Sequence, residues 1–346
     1  MSDIEPRQSG KDDRAPMETP VDGKQKKTGK KKLRIALGAV AALLILAVAT
    51  LLAIKVIVPN LRYRAAVQLY EDGKYEEAIA AFKALDGYMD SDELARDAAY
   101  GAAVELYEAG KFEEAIAAFR ALDGYRDSEA QLENCYIGKY GEEQYHQILN
   151  LQPGDTYTFG AYEQDNDMAN GKEPLEWIVL ERDGNNVMLI SKYALDCQPY
   201  HDPYANVTWE TCYLRGWLND TFLNEAFNPE EQNSILITTV TADSNPAYSV
   251  SPGNDTCDKV YLLSIPEANT YFATDADRQC KGTEYCYAQG VAKDDDGNSW
   301  WLLRSPGYES RLAAFVNSYG SISNRGDGVN HTRSAIRPVI WINLLP

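Results

Sequence analysis

A twenty-residue apolar run, residues 35–54, follows directly on the basic stretch KQKKTGKKKLR at 24–34. No other feature limits the fold as much. A helix of about twenty residues, rising 1.5 Å per residue, matches the roughly 30 Å hydrocarbon core of a bilayer. Basic residues packed against one end keep that end in the cytoplasm. A cleaved signal peptide would have a shorter apolar core, about 7–15 residues, and a small-residue exit. Here the run passes through Lys55 into Val56-Ile57-Val58 without such an exit. The expectation is a retained, single-pass transmembrane helix over 35–58, with the N-terminus cytoplasmic and the rest of the chain outside the cell membrane.

The formal charge of −19 conceals two opposite halves. Residues 1–34 carry ten Lys/Arg against six Asp/Glu, and the remainder 23 against 46, a formal charge of −23. So acidic a surface repels nucleic acid, whose binding depends on neutralising phosphates, and it argues against docking on anionic lipid. Residues 1–34 read as a disordered basic cytoplasmic tail, because their first two dozen residues have almost no apolar content.

Six cysteines are present, and pairing is chemically allowed outside the membrane. Their spacing is not metal-like: no C-x-x-C occurs, and His146, His201 and His331 are scattered. Cys197 with Cys212 and Cys280 with Cys286 are the sequence-near candidates for disulfides. Buried free thiols are the alternative for each pair.

Beyond residue 60 the text repeats. LYEDGKYEEAIAAFKALDGYMDS begins at Leu69, and LYEAGKFEEAIAAFRALDGYRDS begins at Leu106, a period of 37. Apolar residues fall at helical spacing, with Ala78, Ile79, Phe82 and Leu85 on one face. Gly73 and Gly110 stand where one helix must turn into the next, and Asp90-Ser91 and Asp127-Ser128 suit the N-cap of the following helix. The period and the A-x-x-x-F pattern resemble tetratricopeptide repeats, over residues 61–150. Residues 128–149 read as a degenerate closing helix pair. The resemblance implies either a stiff stalk or a groove for a peptide partner.

After residue 154 the helical period gives way to short alternating runs rich in Tyr, Trp, Gly and Asn. Strands are expected at 156–162, 177–180, 187–191, 235–240, 260–263, 300–303, 313–319 and 336–342, with Asp183-Gly184-Asn185 as a hairpin turn. Helices are expected at 211–227 and 265–272. The whole reads as a multi-domain chain: a single transmembrane helix, all-α helical repeats, then an α+β domain at 155–346.

Four strings in that domain occur in order: TWETCYLRGWLN (208–219), DKVYLLSIPEA (258–268), SWWLLRSPG (299–307) and AIRPVIWI (335–342). Together they resemble a bacterial surface-domain family, domain of unknown function 6273. One departure is an additional Leu in the third string. That family in turn resembles the C-type-lectin-like fold shared with formylglycine-generating enzyme. The resemblance implies two helices on a twisted antiparallel sheet, with a loop-rich face for ligands. Formylglycine-generating enzyme holds copper through a late cysteine pair. No cysteine follows Cys286 here, so enzymatic activity of that kind is not expected.

No cofactor is expected. The one weak calcium candidate is Asp294, Asp296 and Asn298, which offer oxygen ligands without a full twelve-residue loop. Arg325-Gly326-Asp327 matches an adhesive tripeptide, but three residues in a Gly/Asn-rich loop recur by chance. Trp300, Trp301, Arg304, Ser305, Pro306, Gly307 and Arg337 read as structural, the buried arginines needing carboxylates or loop carbonyls. The candidate ligand-binding residues are Asn317, Tyr319, Ser321, Asn324, Arg325 and Asn330, the adaptable polar and aromatic types of recognition loops. The functional expectation is an extracytoplasmic protein that binds a protein or glycan ligand. The rivals are an envelope scaffold acting through its repeats and an enzyme on the same fold.

Overall fold

The computed structural model describes residues 25–346, with side chains from Leu33 onward. Helices fill the N-terminal part and sheets dominate the C-terminal part. Residues 1–24 of the expected disordered tail lie outside the described residues. From Gln25 the chain is helical, which corrects the reading of 25–34 as disordered. Lys and Gln are good helix formers, and an established helix propagates upstream without a new nucleus.

Helix α1 (Gln25–Leu52) passes through one π turn (Ala53–Ile57) into α2 (Val58–Glu71). Pro59 is the cause. It has no N–H to offer the carbonyl four residues back, and its ring crowds that carbonyl. The ladder widens there, and the Val58 N–H bonds to the Ala53 oxygen, five residues back. Leu33–Glu71 is thus one 39-residue helix, and its most apolar window is unburied by protein. By length and composition it is long and apolar enough to cross a membrane.

The chain divides into two compact units between Cys135 and Tyr136. In the first, α2 is followed by α3 (Tyr75–Lys83), α4 (Ser91–Glu108) and α5 (Phe112–Ala121), each packed on the next. Gly73 and Gly110 adopt φ of 73° and 72° at the three-residue turns, a conformation other residues pay about 1–2 kcal/mol to enter. The 37-residue period persists in the packing. Ala66, Ala78 and Phe82 are buried in one copy, and Ala103, Ala115 and Phe119 in the next. Asp90, suited by sequence to an N-cap, makes no cap bond and instead accepts from the Tyr63 hydroxyl at 2.5 Å. Asp127 accepts from Tyr100 in the same way.

Helices α6 (Ser128–Tyr140) and α7 (Glu142–Asn150) form where the closing pair is expected. From Tyr136 onward they belong to the C-terminal unit. The α7 face that carries Tyr145, Ile148 and then Leu151 is buried. Arg182 donates to the oxygens of Ile148 and Leu151 at 3.1 and 2.8 Å, and the Tyr136 hydroxyl donates to Leu345 at 3.1 Å.

Strands β1 (Thr156–Tyr162), β2 (Glu173–Asp183) and β3 (Asn186–Ser191) form a meander, with Gly184 at φ 59° in the β2–β3 turn. The stretch expected as one helix is broken into α8 (Tyr213–Trp217), a π turn (Leu218–Phe222) and α9 (Leu223–Ala226). Leu214, Leu218 and Phe222 still fall on one buried face. After α10 (Pro229–Ser234), β4 (Thr238–Val240) and β5 (Thr256–Asp258) make a small hairpin beside β6 (Val260–Tyr261). Helix α11 (Ile265–Tyr271) opens with a capping box between Ser264 and Glu267 and carries Pro266 in its first turn. Two short helices follow, α12 (Asp275–Arg278) and α13 (Glu284–Ala288). Then come β7 (Trp301–Pro306), β8 (Leu312–Val316), β9 (Ile322–Gly328) and β10 (Val339–Asn343).

The main sheet has the order β1-β2-β3-β10-β6, all antiparallel, so the last strand lies in its interior. A second sheet runs β7-β8-β9. Strand β9 replaces what the sequence suggests is a loop. Its text, Ile-Ser-Asn-Arg-Gly-Asp-Gly, has no apolar alternation, and it is held by tertiary pairing, chiefly its ladder with β8.

Replacing Phe119 with Ala removes a fully buried ring from the repeat packing. The expected cost is about 3–5 kcal/mol, read by circular dichroism as an earlier urea midpoint of the helical signal.

Candidate ligand-binding face

Arg304 on β7 is 3% exposed and carries its charge into the interior. It is paired with Glu267 of α11 and with Asp243 at 2.9 Å, and it donates to the oxygens of Leu262 and Thr241. The expected carboxylate and carbonyl partners are therefore both present. Arg337 differs. Its Nε donates to the Ser191 oxygen at 2.9 Å, and among the described residues Nη1 has no partner and no carboxylate forms an ion pair with it. Its guanidinium lies 5.1 Å from the Trp301 ring centre and 5.3 Å from that of Phe272, attractive positions for a cation over aromatic faces. Burial pulls its pKa below the ordinary arginine value.

The rest of the SWWLLRSPG string builds outward from this centre. Trp301 is buried and its indole donates to Arg278, whereas Trp300 is half-buried and stacks on Phe315 with centroids 4.8 Å apart. The Ser305 hydroxyl receives the Ile265 N–H, and the Pro306 oxygen receives the Asn245 side chain at 2.8 Å. Gly307 is required by space, since a Cβ there would sit 2.4 Å from the Arg325 oxygen. Asn245, itself buried, also bonds to Asn324 of β9 and so fixes the segment that carries Tyr248.

That scaffold presents a surface of aromatic rings and cations. Tyr248 meets Tyr308 with centroids 6.0 Å apart, and the Arg325 guanidinium lies 5.3 Å from the Tyr308 ring. Arg311 lies 5.4 Å from the ring of Tyr204, which is 48% exposed. Tyr204, Tyr248, Tyr308 and Arg311 are not evident from sequence, where more than a hundred residues separate the first from the last.

The six residues expected to bind ligand all lie on or beside the β8–β9 hairpin, spread along it rather than converging. Asn317, Tyr319 and Ser321 form its tip. The Asn317 side chain accepts from the N–H groups of Tyr319 and Ser321, and the Ser321 hydroxyl donates to Asp275 at 2.7 Å. Tyr319 is 71% exposed. Asn324 and Arg325 occupy mid-strand, and Asn330 is exposed past its end. Within the adhesive tripeptide, Asp327 is clamped by Arg333 at 2.6 and 2.7 Å and by His331 at 3.0 Å. Burial pushes that carboxyl up, but these hydrogen bonds outweigh it and hold the pKa below the usual value. The tripeptide is a clamped strand segment, not a free loop.

The calcium candidate at Asp294, Asp296 and Asn298 is a hairpin turn. The Asp294 carboxylate is taken up by the backbone N–H groups of Asp296 and Asn298 and by the Asn298 amide. All six cysteines are free, so neither Cys197–Cys212 nor Cys280–Cys286 is bridged. The fold brings Cys197 to Cys286 instead, with sulfurs 3.6 Å apart. The thiol–thiol contact and burial raise the Cys286 pKa well above its ordinary value, which removes the thiolate a nucleophile needs.

The C-terminal unit is thus an antiparallel α+β domain with an exposed tyrosine–arginine face. Residues 184–344 match the family described as Domain of unknown function (DUF6273), a span that contains all four ordered strings. No curated protein and no solved structure matches the chain.

The two arginines make different predictions. Arg304→Met leaves Glu267 and Asp243 without their cation and is expected to cost about 3–5 kcal/mol. Arg337→Met removes a charge with no carboxylate partner among the described residues and is expected to cost less, about 1–3 kcal/mol, chiefly for the Ser191 oxygen left without its donor. All six tryptophans lie beyond residue 176, so their fluorescence in urea reads this unit selectively.

Proposed function

We propose that the chain is a membrane-anchored, extracytoplasmic binding protein. The long apolar helix is its single-pass anchor, inserted with the basic end in the cytoplasm. The tetratricopeptide-like repeats form a stalk, and a C-type-lectin-like domain takes a protein or glycan ligand.

The observation that carries this reading is the clustering of exposed tyrosines and arginines on the β8–β9 side, around Tyr308 and Arg325. Tyr supplies large contact area at low entropic cost and Arg supplies directed donors, and both are enriched where partners are bound tightly. An Arg stacked on Tyr also holds its guanidinium ready for a ligand carboxylate or hydroxyl.

A second reading has its own observation. A cavity of about 430 Å³ in the repeat unit is lined by Lys74, Glu77, Glu105 and Lys111, a mixed-charge groove suited to a peptide partner. On this reading the chain is a scaffold that recruits an envelope partner through its repeats.

The test is a screen of the full chain in detergent against glycans and envelope proteins. Any ligand of the head is expected to bind at least about tenfold more weakly to Tyr308→Ala and Arg325→Ala, the loss typical of an aromatic or arginine anchor. Binding unaffected by both but lost on Lys74→Glu would transfer the function to the repeats.

A further inference from the structure

The β1–β2 connection, residues 163–172, gathers three carboxylates. Glu163, Asp165 and Glu173 each place one oxygen within 4.8 Å of the others. The loop is shaped around them. Glu173 accepts the N–H of Gln164 at 2.7 Å and that of Asp165 at 3.3 Å. Asp165 accepts the Asp167 N–H at 2.8 Å and the Asn170 amide at 2.7 Å. These bonds explain how the loop closes but not why three like charges share its centre.

Glu163 supplies the independent observation. It is only 5% exposed, and its Oε1 is buried with no hydrogen-bond partner. A buried carboxylate oxygen left unmet is costly, and neighbouring negative charges increase that cost. Among the described residues, no lysine or arginine forms an ion pair with any of the three. Lys172, adjacent in sequence, donates instead to the backbone oxygen of Glu225 at 2.7 Å. Burial and then the charges of Glu173 and Asp165 raise the Glu163 pKa.

We propose that Glu163, Asp165 and Glu173 bind a calcium ion. The donors are all oxygens, with neither histidine nor cysteine in the set, which selects a hard cation over zinc. Calcium–oxygen distances are about 2.4 Å, so oxygens on opposite sides of one ion are about 4.8 Å apart. The cluster therefore fits within the span of a single calcium shell. A cavity of about 350 Å³ adjoins the cluster at Glu163 and is lined also by Glu225 and Lys172. Calcium would order the β1–β2 connection. The site is on a different part of the domain from the tyrosine–arginine face and stands independently of the proposed function.

Thermal unfolding of the full chain in detergent, followed by tryptophan fluorescence, tests this with calcium chloride alone as the probe. Wild type should unfold at higher temperature as calcium rises, with half-saturation at about 0.1–1 mM, the range of extracellular modules. Magnesium, which demands tighter octahedral geometry, should shift it less. Glu163→Gln keeps the side-chain shape and relieves the repulsion. Without calcium it should therefore unfold above wild type, and with 5 mM calcium (about fivefold or more above that half-saturation) below it. Asp294→Asn should retain the full calcium shift. A wild-type midpoint unmoved by 5 mM calcium, or moved equally in Glu163→Gln, overturns the proposal.

Discussion

The C-terminal unit is organised around one buried charge. Arg304 cannot sit at 3% exposure without partners, and those partners come from three separate segments. Glu267 comes from the first turn of α11, Asp243 from the connection after β4, and the Leu262 oxygen from the end of β6. Satisfying one guanidinium therefore sets the positions of all three against β7. The consequence reaches the surface. The segment that begins at Asp243 continues to Asn245, which bonds to both Pro306 and Asn324, and then to Tyr248 against Tyr308. The exposed aromatic face is the outer end of a chain of contacts that starts at a buried ion pair.

Much of this was legible in the sequence where a single periodicity governs. The apolar run reads as a helix because its length and composition leave little else. The repeats read as helix pairs because Phe82 and Phe119 recur 37 residues apart on equivalent faces. Strands β1, β2, β3 and β10 alternate or are wholly apolar, and Gly184 marks their turn. Strand β9 was not legible, because Ser323, Asn324, Arg325 and Asp327 carry no apolar pattern and the strand is held by its ladder with β8 and by bonds from Asn245 and Tyr308. The break in the 211–227 helix was also hidden. A π turn keeps Leu214, Leu218 and Phe222 on one face, so the apolar spacing barely registers it.

The candidate site was legible in its residue types but not in its assembly. Asn317, Tyr319, Ser321, Asn324, Arg325 and Asn330 share one hairpin because they are close in sequence, whereas Tyr204 and Tyr248 join its neighbourhood through tertiary contacts that no local pattern encodes. For the cysteine pairs the buried free thiols, not the bridges, are what the fold holds. Cys197 is nearest in space to Cys286, 89 residues away. Asp294 uses its oxygens to close a turn, whereas Glu163, Asp165 and Glu173 converge only because β1 and β2 pair with Tyr162 opposite Glu173. Proximity in sequence was a poor guide wherever the geometry of a strand pair decides the contact.

The proposed binding role requires the C-terminal unit to lie outside the membrane, and the chain carries its own reporter of that. Cys257, the middle residue of β5, is exposed, and the other five cysteines are buried. A membrane-impermeant maleimide applied to intact spheroplasts should label the native chain at Cys257, and Cys257→Ser should abolish the label. Labelling that appears only after the membrane is permeabilised would place the unit in the cytoplasm and contradict the account.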